Sequence, residues 1–419
     1  MLASNFYFLI VWDCFMRKPV LTIFYQFDPW HSTIGGIQTI IANFLKYAPD
    51  EFELRVVGTA SQPDQAVGKW QEANFADRAV WFMPLFRLQN DNVRKIFPTT
   101  LRYTAALLGH RLSSDFMHFH RLEPTLAALP WSGDKTLFVH NDIREQIQHR
   151  GNGNAMLWQR FPKAYFLLER LLIGQFDQIL SCNAESVKLY QERYSALLGH
   201  ISHIRNTVDT DTFYPLSTEE RQQARITFAQ GMGLPEDTKF VLFAGRLHPQ
   251  KDPVLLVRAI AALADPGVHL LIAGDGELAP TVRSEVERAG ISSRVTLLGP
   301  LTQAQLANLH QIVHVFALTS THEGMPLVVL ESLACGTPVV TTRCGDTPNL
   351  LTANSGEICQ ERTAAAVADK LRQVLQHPEH YSAEACVSVA QPFSARSVIR
   401  DVYDDMLQRW DKRISLSTA

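Results

Sequence analysis

The chain has 419 residues, 46% of them hydrophobic, and a formal net charge of −3. That length is roughly two to three times a typical domain, so it predicts two domains with apolar residues enough for a core in each. The slightly acidic balance lacks the basic footprint of a nucleic-acid binder, and six cysteines (Cys14, Cys182, Cys335, Cys344, Cys359, Cys386) with neither a C-x-x-C pair nor a zinc spacing read as reduced thiols rather than a disulfide scaffold or metal site.

At the start, the apolar run from Phe6 to Trp12 has no basic stretch before it and is followed by Asp13, a poor fit to a signal peptide. No segment reaches the roughly 18 unbroken apolar residues of a spanning helix. Met16-Arg17-Lys18-Pro19 leads directly into a strand-like run, which predicts that translation begins at Met16 and that residues 1–15 are an extension. From there, short runs rich in β-branched and aromatic residues alternate with amphipathic stretches, the pattern of βαβ units and a parallel sheet. The first series of strands is predicted at 20–26, 53–58, 79–83, 116–119, 136–140 and 178–182.

Between the first of these strands and an apolar helix through Ile40, Ile41, Phe44 and Leu45 stand Gly35 and Gly36. A Gly-Gly turn at a helix start lets backbone amides approach a phosphate. The segment 87–111 carries Arg87, Arg94, Lys95, Arg102 and Arg111 against one acid, Asp91, interleaved with apolar residues. It reads either as a membrane-interface surface or as a solvated helix face. His118-Phe119-His120 ends one strand and His140-Asn141-Asp142 follows the next. The carboxyl ends of parallel strands form the ligand crevice, so His120 and His140 are candidate site residues, while His118 reads as structural.

A polar connection at 206–238 includes a helix at 218–230 opened by Ser217 or Thr218 with a following Glu. The second series of strands is predicted at 239–244, 268–273, 295–298, 313–318 and 338–341. After the first of them, Gly245 ends the strand, Arg246 and Lys251 occupy the loop, and Asp252-Pro253 reads as an N-cap with proline at the first helical position. Two cations beside a helix start at the carboxyl end of a parallel strand suit a diphosphate. The turn Gly274-Asp275-Gly276 lacks the G-x-G-x-x-G fingerprint, which argues against a dehydrogenase.

Glu323-Gly324-Met325-Pro326-Leu327 then runs into an apolar stretch containing Glu331, with Gly336 as the helix stop. Gly324 permits close backbone approach and Pro326 suits the first helical turn. Glu323 is therefore predicted on a loop and Glu331 inside the helix. The helix N-terminus favours an anionic group, and the glutamates suit sugar hydroxyls. A last helix at 394–413 carries Val398, Val402, Met406 and Trp410 on one face, with Ile399 and Tyr403 beside it.

The Glu-x7-Glu spacing of Glu323 and Glu331, together with Gly245-Arg246-Leu247 and Lys251, resembles the retaining nucleotide-sugar glycosyltransferases of the GT-B fold, family 4 (glycosyl transferases group 1) type. Smaller echoes accompany it. Asn206-Thr207-Val208-Asp209 with Phe213-Tyr214-Pro215 resembles the family's hinge segment, with Thr207 where a glycine is usual. Ala273-Gly274-Asp275-Gly276 resembles its G-D-G turn, and Cys344-Gly345-Asp346-Thr347-Pro348 a G-G-x-P-E loop without the second glycine and the glutamate. The resemblance runs from about Val20 to Trp410.

It implies an α/β protein of two Rossmann-like doubly wound domains facing across a cleft: an acceptor-side domain at 16–205, a nucleotide-sugar-binding domain at 206–390, and a C-terminal helix at 391–419 returning to the first. Gly35, Gly36, Arg246, Lys251, Gly324, Met325, Pro326, Leu327 and Glu331 would bind the donor, and Glu323, His120 and His140 would serve catalysis. Arg246 and Lys251 would neutralise the leaving diphosphate, Glu331 would bond the ribose, and Glu323 the sugar hydroxyls. Neither a metal nor a cofactor is expected, the nucleotide-sugar being a co-substrate. The family reading favours a UDP-sugar, then a GDP-sugar, and a saccharide or lipid-linked saccharide acceptor in surface polysaccharide or glycolipid synthesis. The location would be cytoplasmic, with peripheral membrane contact through Arg87 to Arg111. A GT-B nucleotide-sugar epimerase and a non-catalytic nucleotide-sugar-binding protein are the alternatives.

Overall fold

The computed structural model describes residues 17–31, 35–88, 98–140 and 161–418. The expected extension 1–15 lies outside the described residues, as do Arg94, Lys95, Asn141 and Asp142. The chain divides into two units, one of residues up to Arg205 together with the segment from Ser397, the other Asn206–Arg396.

In the first unit the strands are β1 (Val20–Phe24), β2 (Glu53–Ala60), β3 (Gln71–Phe75), β4 (Arg78–Arg87), β5 (Phe116–Phe119), β6 (Asp134–Val139), β7 (Gln178–Ser181) and β8 (Ile201–His203). They form one sheet in the order β3-β4-β2-β1-β5-β6-β7-β8, parallel except for the β3–β4 hairpin. Both faces are covered, so the central strands are apolar on both sides. Phe24, Val57, Phe119 and Leu137 enter one core, while Ile23, Val56, Phe116 and Phe138 enter the other. The long C-terminal helix Ala395–Thr418 adds Ile399, Tyr403, Met406 and Trp410 to that second core. Tyr403 Oη donates to the Phe44 carbonyl at 2.8 Å, and Arg409 and Arg413 both hold the buried Asp134 carboxylate.

The second unit contains β9 (Lys239–Ala244), β10 (Val268–Ala273), β11 (Val295–Gly299), β12 (Val315–Leu318), β13 (Val339–Thr342) and β14 (Gly356–Cys359). Their order, β11-β10-β9-β12-β13-β14, is that of a doubly wound sheet. Every ladder is parallel. Alternation along β9 sends Val241 and Phe243 to one core and Phe240, Leu242 and Ala244 to the other. The helix Thr218–Gly231 opens with a complete capping box between Ser217 and Glu220. Among the described residues Cys182, Cys335, Cys344, Cys359 and Cys386 are free thiols.

Three strands were not expected: β3, β8 and β14. Each lies at a sheet edge, where a strand is half solvated and short. Gln71-Glu72-Ala73-Asn74-Phe75 and Ile201-Ser202-His203 therefore lack the apolar run that marks a central strand.

Candidate active site

The strand order of the second unit reverses between β9 and β12, and a doubly wound sheet binds ligands in the crevice at that point. The loops that leave these two strands carry Arg246, Lys251, Gly324, Met325 and Pro326 of the predicted donor residues, while Gly35 and Gly36 lie in the first unit, and the two loops are sewn together. Thr321 N donates to the Gln250 carbonyl at 2.7 Å, Gln250 Nε2 to the His322 carbonyl at 3.0 Å, and Thr319 Oγ1 to the Asp252 carbonyl at 2.9 Å. Across this seam Lys251 Nζ meets Glu323 Oε1 at 2.5 Å, with the lysine side chain 20% and the glutamate side chain 8% exposed. Ser320 Oγ donates to the same carboxylate oxygen at 2.6 Å. Two residues singled out in separate motifs are thus one ion pair.

Lys251 is held by the turn that follows it. Asp252 caps the helix Pro253–Leu263, accepting from Leu255 N at 3.1 Å, and Arg362 pairs with the other oxygen of the same carboxylate. Arg246 lies exposed in the loop after β9. The turn after β10 packs on that loop so closely that a Cβ at Gly274 would stand 2.0 Å from the Gly245 carbonyl oxygen. The Gly-Asp-Gly turn thus supports the cation-bearing loop.

The helix Leu327–Ala334 starts one residue later than expected, with Pro326 as N-cap in an extended conformation. The N–H of an N-cap takes no part in the helix's own ladder, so a proline, which lacks it, fits just ahead of the first turn as well as inside it. Gly336, at φ +70, closes the helix as predicted. Glu331 lies inside the helix and is buried, 5% exposed. Desolvation raises its carboxyl to about 8, while the Lys251 charge pulls the other way. Behind the loop, Asp346 N donates to the Gly324 carbonyl at 3.0 Å.

In the first unit the reversal falls between β1 and β5, and His120 follows β5. His120 Nδ1 and His140 Nε2 are 2.8 Å apart, so one ring must donate and the other accept. His120 also stacks on Phe138, with ring centroids 4.7 Å apart. Burial holds His120 well below the ordinary imidazole range and His140 down to about 3. The two candidates are therefore a neutral, coupled pair. His118 is fully buried between Phe44 and Phe138, a structural residue as expected. Gly35 is the N-cap of the helix Gly36–Lys46.

Ser320, Thr319 and Gln250 escaped the sequence reading. The signal for the first two was a pair of hydroxyls directly after a buried strand, beside a candidate carboxylate. Gln250 carried none, because its part is to bridge two loops far apart in sequence.

Parallel doubly wound units with charged loops at the switch point are a scaffold for phosphate-bearing ligands. Residues 225–385 match the family of glycosyl transferases group 1. D-inositol 3-phosphate glycosyltransferase of Mycolicibacterium smegmatis is 33% identical over 232 residues, which is 54% of this chain and 51% of that protein. The Streptomyces coelicolor protein of the same name is 28% identical over 337 residues, 74% of this chain and 73% of its own. The match to a third such protein, from Nocardiopsis dassonvillei, spans 59% of that protein's length. Among solved structures, sucrose-phosphate synthase from Thermosynechococcus elongatus superposes with a TM-score of 0.75 at 16% identity, covering 94% of this chain and all 100% of that one. Anabaena HepE in complex with UDP-glucose superposes with a TM-score of 0.69 at 15% identity, covering 93% and 100%. Residues 225–385 thus carry the domain of the group 1 glycosyltransferases, and the chain shares the fold of the GT-B glycosyltransferases.

Proposed function

We propose that the protein is a retaining glycosyltransferase that moves a hexose-type sugar from a nucleotide-sugar, UDP-linked in first preference and GDP-linked in second, to an acceptor hydroxyl. The observation that carries this reading is the Lys251–Glu323 pair at the switch point of the second sheet, with Glu331 buried in the helix that follows the loop. A diphosphate entering beside Lys251 gains a charge-assisted contact, and the N-terminus of the helix Leu327–Ala334 favours its negative charge. Glu323, already oriented by Ser320 and Lys251, has its remaining oxygen for a sugar hydroxyl. HepE is described with UDP and glucose, and starch synthase IV from Arabidopsis thaliana with ADP and acarbose, which supports a nucleoside diphosphate as the ligand class.

In the reaction the bond from the anomeric carbon to the diphosphate oxygen breaks. The acceptor oxygen bonds that carbon on the same face, and its proton passes to the departing phosphate oxygen. Arg246 and Lys251 stabilise the charge that develops on the leaving group, so no metal is needed for that task. The neutral His120–His140 pair can exchange hydrogen bonds with a sugar or acceptor hydroxyl. A cytoplasmic role in polysaccharide or glycolipid synthesis fits a saccharide or lipid-linked acceptor, and the relatives' names add a phosphorylated polyol to the acceptors to assay.

Purified protein should be stabilised against heat by one class of nucleoside diphosphate. Lys251→Ala should lose that shift and about 10² to 10³ in rate, the usual cost of removing a preorganised charge-stabilising donor. An unchanged rate removes Lys251 from the site, and conversion of the nucleotide-sugar without acceptor would mark an epimerase.

Membrane contact through Arg87 to Arg111 is part of the same proposal. Arg87 is engaged with the protein, donating to the Pro63 and Gln65 carbonyls at 2.7 and 3.1 Å. Arg102 lies over the Phe86 ring at 4.1 Å, while Arg111 and Leu108 are exposed. Vesicles rich in phosphatidylglycerol should carry the protein upward in a flotation gradient, less so at high salt and less with Arg111→Glu. Equal recovery with neutral vesicles would sink this part.

A further inference from the structure

Asn206 is the first residue of the second unit, where the chain passes into it. It is 7% exposed, and its Nδ2 donates to the Met325 carbonyl at 2.7 Å, across 119 positions of sequence. Met325 precedes the N-cap Pro326, so its carbonyl stands ahead of the helix's own bonding ladder and depends on a donor from elsewhere. The carbonyl before it, that of Gly324, is anchored by Asp346 N at 3.0 Å. In a planar trans peptide the N–H points opposite to the C=O. Fixing the Gly324 carbonyl toward Asp346 therefore turns the Met325 N–H away from it. Two successive carbonyls of the loop between the glutamates are thus tied from the protein side.

Asn206 is itself well placed to hold. Two residues on, Val208 N donates to the Phe393 carbonyl and Ala395 N to the Val208 carbonyl, each at 2.8 Å. This short parallel bridge between Val208 and Ser394 clamps together the two ends of the second unit. The other amide atom of Asn206, Oδ1, is buried without a partner. Such an orphan costs about 1 to 3 kcal/mol, so the position is set by what Nδ2 does and not by the satisfaction of the whole amide.

We propose that Asn206 is a positioning residue of the donor site: its bond to the Met325 carbonyl fixes the course of the chain from Glu323 to Leu327 and so the fit of that loop to a nucleoside diphosphate. The inference rests on the reading of the loop as a nucleotide-sugar site. It also gives the Asn-Thr-Val-Asp segment a task at the ligand.

The test compares Asn206→Asp, which keeps the shape but has no N–H to donate at neutral pH, with Asn206→Ala and with Thr210→Val. The last removes a different contact at the same clamp, Thr210 Oγ1 to Ser394 Oγ at 3.2 Å. Calorimetry with UDP, GDP and ADP, then KM and kcat with the nucleotide-sugar of the class that binds, gives the readout. Both Asn206 variants should bind that diphosphate about tenfold more weakly and raise the donor KM by a similar factor, with a smaller change in kcat, as expected for one lost hydrogen bond. Thr210→Val should match the wild type. Wild-type binding by Asn206→Asp overturns the proposal in favour of simple space filling, and an equal loss in Thr210→Val overturns it in favour of a general loosening of the clamp. Should Asn206→Asp not fold, Asn206→Ser, with a hydroxyl too short to reach, takes its place under the same two criteria. A folded wild type that binds none of the three diphosphates would instead overturn the reading of the site, and this inference with it.

Discussion

Glu331 is the residue whose environment is most at odds with its chemistry. Its carboxyl is held at about 8 by burial, against an ordinary value of 4.5. Between those two values the folded protein keeps a proton that the unfolded chain releases, so stability falls as pH rises from about 4.5 to about 8 and is level above. Each tenfold change in proton affinity is worth about 1.4 kcal/mol. Glu331→Gln cannot titrate and should escape that decline. The gap in Tm between the variant and the wild type should therefore widen from pH 5 to pH 8 in unliganded protein. A constant gap would mean that the carboxyl ionises in place at ordinary pH. A ligand whose hydroxyls donate to the ionised form would recover that cost. Glu323 differs: Lys251 and Ser320 hold it at 2.5 and 2.6 Å, so it waits oriented.

At the scale of elements, the loop between β12 and the helix Leu327–Ala334 keeps its shape through what lies behind it. Gly345, at φ +55 after β13, places its Cα against that loop, and an added Cβ would stand 2.1 Å from the Gly324 carbonyl oxygen and 2.4 Å from that of Glu323. A side chain there is opposed twice, by the left-handed backbone at about 1 to 2 kcal/mol and by a carbonyl that cannot move without moving Glu323. Gly345→Ala should weaken diphosphate binding more than it lowers Tm, because the loop is the part able to yield. A variant with wild-type affinity would show that the loop's course does not depend on this support. The glycine that this contact requires is the one the chain retains of the G-G-x-P-E pattern.

For the whole molecule, the C-terminal helix is the least local feature. It begins at the end of the second unit and buries Ile399, Tyr403, Met406 and Trp410 in a core of the first. Tyr403→Ala removes a fully buried ring and its bond to the Phe44 carbonyl, a change of about 3 to 5 kcal/mol. Calorimetric unfolding should show that loss in the transition of the first unit, while affinity for the nucleoside diphosphate, which the proposed function assigns to the second unit, stays unchanged. A parallel loss of affinity would show that the two units unfold and bind as one. The sequence by itself determined the α/β class, the central strands and the helix stop at Gly336, because strand periodicity, caps and glycine turns are local physics written in adjacent residues. It also indicated that the last helix has an apolar face in want of a partner. Only the tertiary structure decided that Lys251 meets Glu323, that Gly345 backs Gly324 and that Asn206 holds Met325, since each is a contact between chain segments far apart in sequence, set by the order in which the strands pair. The edge strands β3, β8 and β14 belong to that second group, because a half-solvated strand is defined by the neighbour it bonds and not by the hydrophobicity of its own residues.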